Sequence, residues 1–361
     1  LKYFGVSAEH EQVRRSGGVF DVSHMARVRL KGLHAKRLLE RACTRRIGTM
    51  KPSTGDEHGQ CRYTLICNEH GGIMDDVIVS RFDDDEFYVV INASNRAKIV
   101  AHLAGLIETN GWKVTLTDET EKTAMIAAQG PRVMEMISAV SKEIPRLKRY
   151  RFTIKNYLVM KLIVSRTGYT GEDGVEVVIP ANMVGMAMKM LMKDVDPNDE
   201  DALVRPAGLA ARDTLRLEAG MPLYGNELGE DINALATGLD FAISLDKNEA
   251  DDGERFIGQD ALEKTAEAGG PARVLIGLKL EGKRSARQGM AVRPAGDGDG
   301  STEIGVVTSG CPSPTLGCSI AMAYVERDQA APGTNVSVDT GRARIDAAVV
   351  PLPFYKRQTP A

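Results

Sequence analysis

The sequence predicts an α+β fold that ends in an all-β unit. Runs of alternating apolar and polar residues follow one another through short turns, which is typical of antiparallel hairpins. Segments with apolar residues three and four apart, typical of helices, lie between groups of these runs. After Arg273 the chain contains only short strand-like segments. Hairpins mixed with helices favour an α+β architecture over a parallel α/β sheet.

The first third of the chain is expected to form a meander of three strands and a helix. Alternation predicts strands at 61–67, 73–82 and 87–92. The turn residues NEHGG at 68–72 separate the first two strands. A helix is predicted over 95–108 with Ser94 as its N-cap, and a strand over 113–117.

The middle of the chain repeats this pattern, and its last third is built from strands. Strands are predicted at 123–128, 151–154, 157–166 and 175–179. Helices are predicted after 131, over 182–194 and around Arg212. The segment 246–255 is dense in charged residues and predicts a linker or an exposed loop. After a helix at 259–267, strands are expected at 273–280, 289–293, 303–308, 319–325, 335–339 and 342–350, as in a small barrel or sandwich.

Composition excludes several functional classes. A net charge of −3 over 361 residues lacks the basic field of a general nucleic-acid binder. No apolar run approaches the ~18 residues of a membrane span. The five cysteines are odd in number and loosely spaced, which favours a reducing compartment over a disulfide framework. The six histidines form no His-x-x-x-His pair, so no metal site is expected.

Two adjacent aspartates, Asp75 and Asp76, lie inside the strand predicted at 73–82. Because side chains alternate along a strand, Asp75 shares one face with Val77, and Asp76 shares the other face with Ile78. Both faces are apolar, and strand interiors disfavour aspartate. The pair therefore indicates either an edge strand with an aspartate in solvent or a carboxylate that faces a ligand cavity.

A glycine-rich segment and a histidine offer further candidates. Residues 167–176, TGYTGEDGVE, contain three glycines and end on a strand at Glu176. Their spacing matches neither glycine pattern known for phosphate binding, so a long hairpin turn and a ligand loop both stay open. His24, in the segment FDVSHM, is either a general base or a structural histidine at the end of a strand.

The helix that begins at Gly208 carries Arg212 and Arg216, which share one face because they lie four residues apart. Its leucines indicate that the helix is at least half buried. Each guanidinium there needs an anionic partner, since an unpaired buried charge is costly. That partner is either a carboxylate of the chain, such as Asp213 or Glu218, or an anionic ligand.

Together these segments resemble the T-protein family of the glycine cleavage system, the tetrahydrofolate-dependent aminomethyltransferases. The matching blocks occur in the family's order and span nearly the whole chain: VFDVSHM at 19–25, NEHGGIMDDV at 68–77, QGP at 129–131, TGYTGEDGVEVVIP at 167–180, the arginine helix with its following loop at 208–227, and TSGCPSPTL at 308–316. Each block alone is a weak signal, whereas the combination is specific. The resemblance also implies a family segment of some tens of residues before Leu1.

The resemblance implies a three-domain cloverleaf around a central folate channel, with a C-terminal β-barrel-like domain. A discontinuous first domain is expected at 1–30 and 118–245, and it would bind the folate. An inserted α+β second domain is expected at 31–117. The barrel-like third domain is expected at 270–361.

The resemblance also implies the residues of the site. Asp75, the first aspartate of the pair, is expected beside the reacting part of the folate. Glu176 is expected at the pterin and Arg212 in the folate site, which leaves Arg216 as a structural cation. Further folate contacts are expected from Tyr63, Tyr169 and Tyr355, and Phe354 is the alternative to Tyr355.

The implied reaction uses tetrahydrofolate as a cosubstrate and no metal. The methylene carbon would pass from aminomethyl-dihydrolipoyl H-protein to tetrahydrofolate, giving 5,10-methylenetetrahydrofolate, ammonia and dihydrolipoyl H-protein. The expected partners are folate and the lipoylated H-protein, with no nucleic acid or membrane, in the bacterial cytoplasm or the mitochondrial matrix. Alternatives on this fold are a folate-dependent demethylase, a non-enzymatic folate-binding helper of iron–sulfur assembly, and the C-terminal part of a larger oxidase or dehydrogenase.

Overall fold

A long sheet and a barrel form the framework of the chain in a computed structural model, which describes residues 2–53, 57–157, 160–191, 196, 199, 201–249, 253–282, 284–296, 302–341 and 343–357. Seven α-helices lie within these residues: α1 (Val6–Arg15), α2 (Ala35–Ala42), α3 (Arg96–Asn110), α4 (Val133–Ser138), α5 (Val184–Leu191), α6 (Leu209–Glu218) and α7 (Gln259–Glu267). None of the helices in the described ranges is both long and apolar enough to cross a membrane.

The strands divide into a sheet and a closed barrel. The sheet strands, in chain order, are β1 (Gly18–Asp21), β2 (Ala26–Lys31), β3 (Gly59–Cys67), β4 (Ile73–Arg81), β5 (Glu86–Ile91), β6 (Thr115–Asp118), β7 (Thr123–Gln129), β8 (Arg151–Tyr157), β9 (Met160–Ser165), β10 (Gly174–Pro180) and β11 (Arg205–Pro206). The barrel strands are β12 (Arg273–Leu280), β13 (Ala291–Pro294), β14 (Gly305–Ser313), β15 (Cys318–Glu326), β16 (Asn335–Asp339) and β17 (Arg344–Val350).

The order of strands in the sheet, β11-β1-β7-β10-β9-β8-β3-β4-β5-β2-β6, shows that the chain visits two regions. After β1 the chain builds the region of β2 to β6, and it returns at β7, which pairs antiparallel with β1. Strand β3 joins the two regions because it pairs with β8 at its start and with β4 along its length. The division into three domains with a discontinuous first one stays a prediction.

The all-β unit predicted after Arg273 is confirmed as a closed barrel, β12-β15-β14-β13-β16-β17. All of its pairs are antiparallel, and β17 returns to β12 to close it. Closure removes the edge strands that an open sheet would expose. Its interior is filled by aliphatic side chains, including Leu278, Val307 and Val338. The α+β class is therefore correct for the chain as a whole.

Two local expectations need correction. Ser94 is not a helix cap, because it lies inside a short 3-10 turn, Ala93–Asn95, and Asn95 occupies the position before α3. The side chain of Asn95 is instead engaged by Asp75. Strand β8 continues to Tyr157, beyond the expected end at 154, because it pairs with β9 over its whole length.

The exposed loop expected at 246–255 is wrong for Lys247, whose side chain is 0 % exposed. Its ammonium group donates hydrogen bonds to the carbonyls of Glu40 at 2.6 Å, Cys43 at 2.7 Å and Arg45 at 2.9 Å. It also forms an ion pair with the Glu40 carboxylate at 2.7 Å. Carbonyls at a helix C-terminus lack partners within the helix, and Lys247 supplies one at the end of α2.

Replacing Lys247 with methionine is expected to lower the free energy of unfolding by about 3–5 kcal/mol, because the substitution leaves the Glu40 carboxylate buried and unpaired. Lys264→Met serves as the matched control, since Lys264 is exposed on α7. Urea unfolding of both variants, followed by circular dichroism, measures the difference. Equal stability of the two variants would contradict the role assigned to Lys247.

Candidate functional site

The two aspartates lie on an interior strand, because β4 pairs with β3 on one side and, from Ile78 to Arg81, with β5 on the other, and Asp75 is fully buried. The edge-strand alternative is therefore wrong. The two side chains point to opposite faces. Asp75 shares its face with Val77 and Val79, which pack under α2 and α3 in the core of the inserted region.

Asp75 is 0 % exposed and is enclosed by two asparagines. It accepts hydrogen bonds from the backbone N–H of Asn92 at 3.1 Å, from the Asn92 side-chain amide at 2.9 Å and from the Asn95 side-chain amide at 2.6 Å. Burial, followed by the negative charge of Asp76, raises the pKa of Asp75 to about 7. Its oxygens are thus already engaged by the protein's own donors.

Asp76 lies on the opposite face and keeps part of its surface accessible. It accepts hydrogen bonds from the Tyr63 hydroxyl at 3.0 Å and from the Asn92 amide at 2.7 Å. Burial raises the pKa of Asp76 to about 6, although these two hydrogen bonds favour the charged form. Burial and the Asp76 charge raise the pKa of Tyr63 well above its ordinary value. The Tyr63 hydroxyl therefore stays protonated and acts as the hydrogen-bond donor to Asp76.

The glycine-rich segment is the hairpin connection between β9 and β10, which are adjacent antiparallel strands. Glu176 lies on β10 and accepts a hydrogen bond from the Thr167 hydroxyl at 2.5 Å. The Gln129 amide nitrogen lies 3.2 Å from the carbonyl oxygens of both Thr167 and Val175 and holds the connection in place. A Cβ at Gly168 would lie 1.9 Å from the Gln129 side-chain oxygen, which explains the glycine there.

Arg212 of α6 presents an incompletely paired guanidinium. Its Nη1 atom is buried and has no hydrogen-bond partner among the residues that the structure describes. The guanidinium carbon lies 4.9 Å from the centroid of the Tyr169 ring, within the range of a cation–π contact. Burial lowers the pKa of Arg212, while the nearby Glu176 and Tyr169 act in the opposite direction. Arg212 therefore has unused hydrogen-bonding capacity beside a carboxylate and an aromatic ring.

Arg216, on the same helix, is fully paired. Its guanidinium contacts the Asp213 carboxylate at 2.8 Å, the buried Glu227 carboxylate at 2.8 Å and the Ser309 hydroxyl of β14 at 2.8 Å. These contacts attach α6 to the barrel. The prediction that Arg216 is a structural cation held by internal acids is confirmed.

Tyr355 lies in a different cluster, which contacts the glycine-rich connection. Its ring centroid is 3.9 Å from the Arg14 guanidinium carbon, and its backbone N–H donates to the Glu218 carbonyl at 2.7 Å. Burial, followed by a hydrogen bond to Glu172, raises the pKa of Tyr355 to about 12. Arg14 also donates to the Thr170 carbonyl at 2.7 Å, so this cluster is hydrogen-bonded to the glycine-rich connection.

The structure brings four of the expected residues into one electrostatic neighbourhood. Tyr169 connects them, because its ring faces the Arg212 guanidinium. Burial raises the pKa of Tyr169, Arg216 lowers it, Asp76 raises it and Arg212 lowers it. Tyr63 belongs to this group through its hydrogen bond to Asp76. Tyr355 makes no described contact with this group, and Asp75 adjoins it only through Asp76, whose charge raises the pKa of Asp75, and through the Asn92 amide that both aspartates share. The group, hereafter the central site, consists of Tyr63, Asp76, Tyr169, Glu176 and Arg212.

Sequence reasoning missed two residues that shape the central site. Asn92 bridges both aspartates, and its position at the end of β5, just before a helical turn, was the available signal. Gln129 orients the glycine-rich connection, and its motif QGP gave no indication of that role. Burial and the positive charge of Arg212 lower the pKa of His24, which favours its neutral form. In the described ranges, no group of three or more His, Cys, Asp or Glu residues could hold a metal ion.

Known protein families match nearly the whole chain. The GCVT N-terminal domain model matches residues 2–247, and the glycine cleavage T-protein C-terminal barrel domain model matches residues 273–356. A curated aminomethyltransferase of Streptomyces coelicolor is 43% identical over 99% of this chain and 91% of the relative. One from Saccharopolyspora erythraea is 40% identical over 99% of this chain and 92% of the relative.

A solved structure has the same fold as this chain. The crystal structure of glycine cleavage system aminomethyltransferase T from Bartonella henselae superposes with a TM-score of 0.86 at 29% sequence identity. The match covers 99% of this chain and 91% of that chain. The similarity therefore extends over the sheet and the barrel together.

Proposed function

This chain belongs to the glycine cleavage T-protein family and its activity is that of an aminomethyltransferase, and we propose that it uses tetrahydrofolate as cosubstrate and the lipoylated H-protein as partner. The relatives named above are bacterial, and the proposed location is the bacterial cytoplasm. The proposed folate contacts come from the central site. Tyr355 is proposed to support the glycine-rich connection indirectly, through its contact with Arg14.

The observation that carries this proposal is the unpaired Nη1 of Arg212 beside Glu176 and Tyr169. A pterin presents adjacent N–H donors on its aminopyrimidinone edge, which a carboxylate such as Glu176 accepts as a pair. Its carbonyl oxygen is an acceptor for a guanidinium, and its flat ring suits the face of a tyrosine. The central site thus offers a carboxylate, a cation and aromatic rings to one ligand of this chemistry.

We assign the catalytic role to Asp76 rather than to Asp75. The resemblance pointed to the first aspartate of the pair, and that assignment stays a prediction. The geometry favours the second, because Asp75 is enclosed by Asn92 and Asn95, whereas Asp76 faces Tyr63 and keeps accessible surface. The Tyr63 hydroxyl and the Asn92 amide hold the Asp76 carboxylate in one orientation.

In the proposed reaction, N5 of tetrahydrofolate attacks the aminomethyl carbon, and N10 then closes the ring. Two C–N bonds form at that carbon, while its bonds to the lipoyl sulfur and to the amino nitrogen break. The protons lost by N5 and N10 balance those gained by the dihydrolipoyl thiol and by ammonia. Asp76 would stabilise the cationic character that develops and accept a proton, a role that contributes roughly 10²–10⁴-fold. Holding both substrates together accounts for much of the remaining acceleration.

The test supplies the purified chain with tetrahydrofolate and aminomethylated H-protein, and measures ammonia and 5,10-methylenetetrahydrofolate. Equal amounts of both products are expected. A parallel reaction with N-methylated glycines tests for the folate-dependent demethylase. Transfer of the methyl group from the methylated amines to N5, giving 5-methyltetrahydrofolate and the demethylated amine, with no ammonia released from aminomethylated H-protein, would overturn the proposal in favour of that enzyme. Binding of folate without either reaction would favour a non-enzymatic folate-binding protein.

The rate should depend on pH through Asp76. Because its raised pKa is about 6, the carboxylate is ionised above this pH and protonated below it. We expect kcat to fall roughly tenfold for each unit below about pH 6, and to level off above pH 7. Steady-state kinetics between pH 5 and 8, with circular dichroism to verify folding, checks this expectation. A flat profile down to pH 5 would remove Asp76 from the proton-transfer role.

A further inference from the structure

A surface rich in arginine lies where β3 meets β8, next to the Tyr63 end of the central site. Tyr63 connects the two sides of this surface, because the Phe241 ring stacks on the Tyr63 ring at 6.0 Å and Arg45 donates to the Tyr63 carbonyl at 3.3 Å. The first residues of β8 pair with the start of β3. We call this region the seam surface; it consists of Arg45, Arg62, Arg149, Tyr150, Arg151 and Phe241.

The four arginines of the seam surface form no ion pair with any carboxylate of the described residues. Arg62 donates instead to the Thr49 hydroxyl at 2.9 Å, and Arg151 donates to the His58 carbonyl at 3.3 Å. Burial and then the positive charges of Arg45 and Arg151 lower the pKa of Arg62 to about 10. Glu40 opposes this effect, but its carboxylate is already paired with Lys247. The surface therefore carries uncompensated positive charge.

Two large aromatic rings of the seam surface remain exposed. Phe241 is 59% exposed, and Tyr150 is 42% exposed. Tyr150 has a φ of 57°, in the left-handed region that side chains other than glycine rarely adopt. Its backbone is held there by hydrogen bonds to Cys61 at 2.8 Å and Arg166 at 3.0 Å. Strained residues persist where the surrounding structure imposes them, and they are frequent at functional sites.

We propose that the seam surface docks the lipoyl-bearing carrier protein through an acidic face of that carrier. This inference rests on the proposed function, since it names where that partner binds. Exposed aromatic and arginine side chains are the residue types that contribute most to protein–protein affinity. Uncompensated arginines complement carboxylates on a partner and accelerate its association. Docking here places the carrier's arm beside Tyr63, whose hydroxyl contacts Asp76.

The other source of carboxylates is the glutamate tail of the folate itself. A tail of linked glutamates needs cations, but it does not account for two exposed aromatic rings on the same surface. The protein partner explains both features at once. A charge reversal on the seam surface distinguishes the two occupants. It should weaken binding of H-protein if the surface docks that protein, and binding of the folate if the surface holds the glutamate tail.

The experiment compares Arg149→Glu and Phe241→Ala with two matched controls elsewhere on the chain. Lys113→Glu reverses an exposed charge, and Leu33→Ala removes a hydrophobic side chain that is 74% exposed. Binding of lipoylated H-protein is measured by isothermal titration calorimetry, independently of turnover. We expect Kd to rise at least tenfold for each seam variant and to stay within twofold for the controls. The effect of Arg149→Glu should shrink between 50 and 500 mM salt.

The same proteins are then assayed for the KM of tetrahydrofolate with one and with three glutamates. Unchanged KM values in the seam variants are expected. A higher KM for the triglutamate form alone, with H-protein binding intact, would show that the surface holds the folate tail and would overturn the docking proposal. If wild-type protein binds H-protein through this surface but forms no methylenetetrahydrofolate, the proposed function fails while the docking proposal stands.

Discussion

Asp76→Asn is expected to reduce kcat by about 100- to 1,000-fold while leaving the fold intact. The substitution keeps the shape of the side chain and one of its two acceptor oxygens. It removes the negative charge and replaces the other oxygen with an amide NH2 group, which cannot accept the hydrogen bond that Tyr63 or Asn92 donates there. General-base and electrostatic contributions of a single residue are commonly of this size. Single-turnover measurement of methylenetetrahydrofolate formation isolates the chemical step. Because the change is isosteric, the KM for tetrahydrofolate should rise no more than a few-fold.

The matched variant is Asp75→Ala, which should affect stability instead of chemistry. Removing this carboxylate leaves the Asn92 backbone N–H and the Asn95 side-chain amide without an acceptor, while the Asn92 side-chain amide keeps its hydrogen bond to Asp76. Each buried polar group left unpaired costs about 1–3 kcal/mol. We expect a lower midpoint in urea unfolding, with kcat of the folded protein reduced less than tenfold. The reverse pattern, with Asp75→Ala inactive and Asp76→Asn active, would return the catalytic role to Asp75.

Arg212→Met and Arg216→Met should have opposite effects on binding and stability. Arg212 has a buried nitrogen without a partner, so its removal should leave the free energy of unfolding unchanged or higher. The same change removes a charge-assisted hydrogen bond to the ligand, worth about 1.5–3 kcal/mol, and should weaken tetrahydrofolate binding about 10- to 100-fold. Fluorescence titration with tetrahydrofolate and urea unfolding measure the two quantities.

Arg216→Met should cost about 3–5 kcal/mol of stability, because it leaves the buried Glu227 carboxylate without its cation. Its effect on folate affinity in the folded protein should be small, since all of its guanidinium nitrogens contact the protein. A loss of stability in Arg212→Met equal to that in Arg216→Met would contradict the ligand-facing role of Arg212. The two positions are four residues apart on one helix and serve as controls for each other.

Much of the architecture could be predicted because it depends on local patterns. Alternation along β3, β4 and β5 and the turn residues between them indicated the meander, and the short strands after Arg273 indicated the barrel. The roles of Arg212 and Arg216 could also be separated in advance, by the resemblance of their segment to a known family. The four central-site residues that were named beforehand are Tyr63, Tyr169, Glu176 and Arg212.

Other features depend on contacts between distant parts of the chain. Charge density around Lys247 predicted a loop in solvent, yet its ammonium group is enclosed by the end of α2, some two hundred residues earlier in the sequence. Tyr355 packs on Arg14 and Glu218, which lie far from it in the sequence, and its expected contact with the folate stays a prediction. No local pattern encodes which distant element covers a given side chain.

Local patterns and the family resemblance were sufficient to predict the fold class, a small barrel or sandwich after Arg273, the family and the segments from which the site is built, whereas closure of the barrel is a finding of the structure. The surroundings of the two adjacent aspartates became visible only in the tertiary structure, and the proposed role of Asp76 rests on them. Both faces of β4 carry apolar side chains. Val77 and Val79 pack with residues of α2 and α3, and Ile78 on the other face packs with residues of β1, β7 and β10. Strand alternation requires Asp75 and Asp76 to point in opposite directions. Only the packing of the two regions around the strand assigns Asp75 to the asparagine cage and Asp76 to Tyr63.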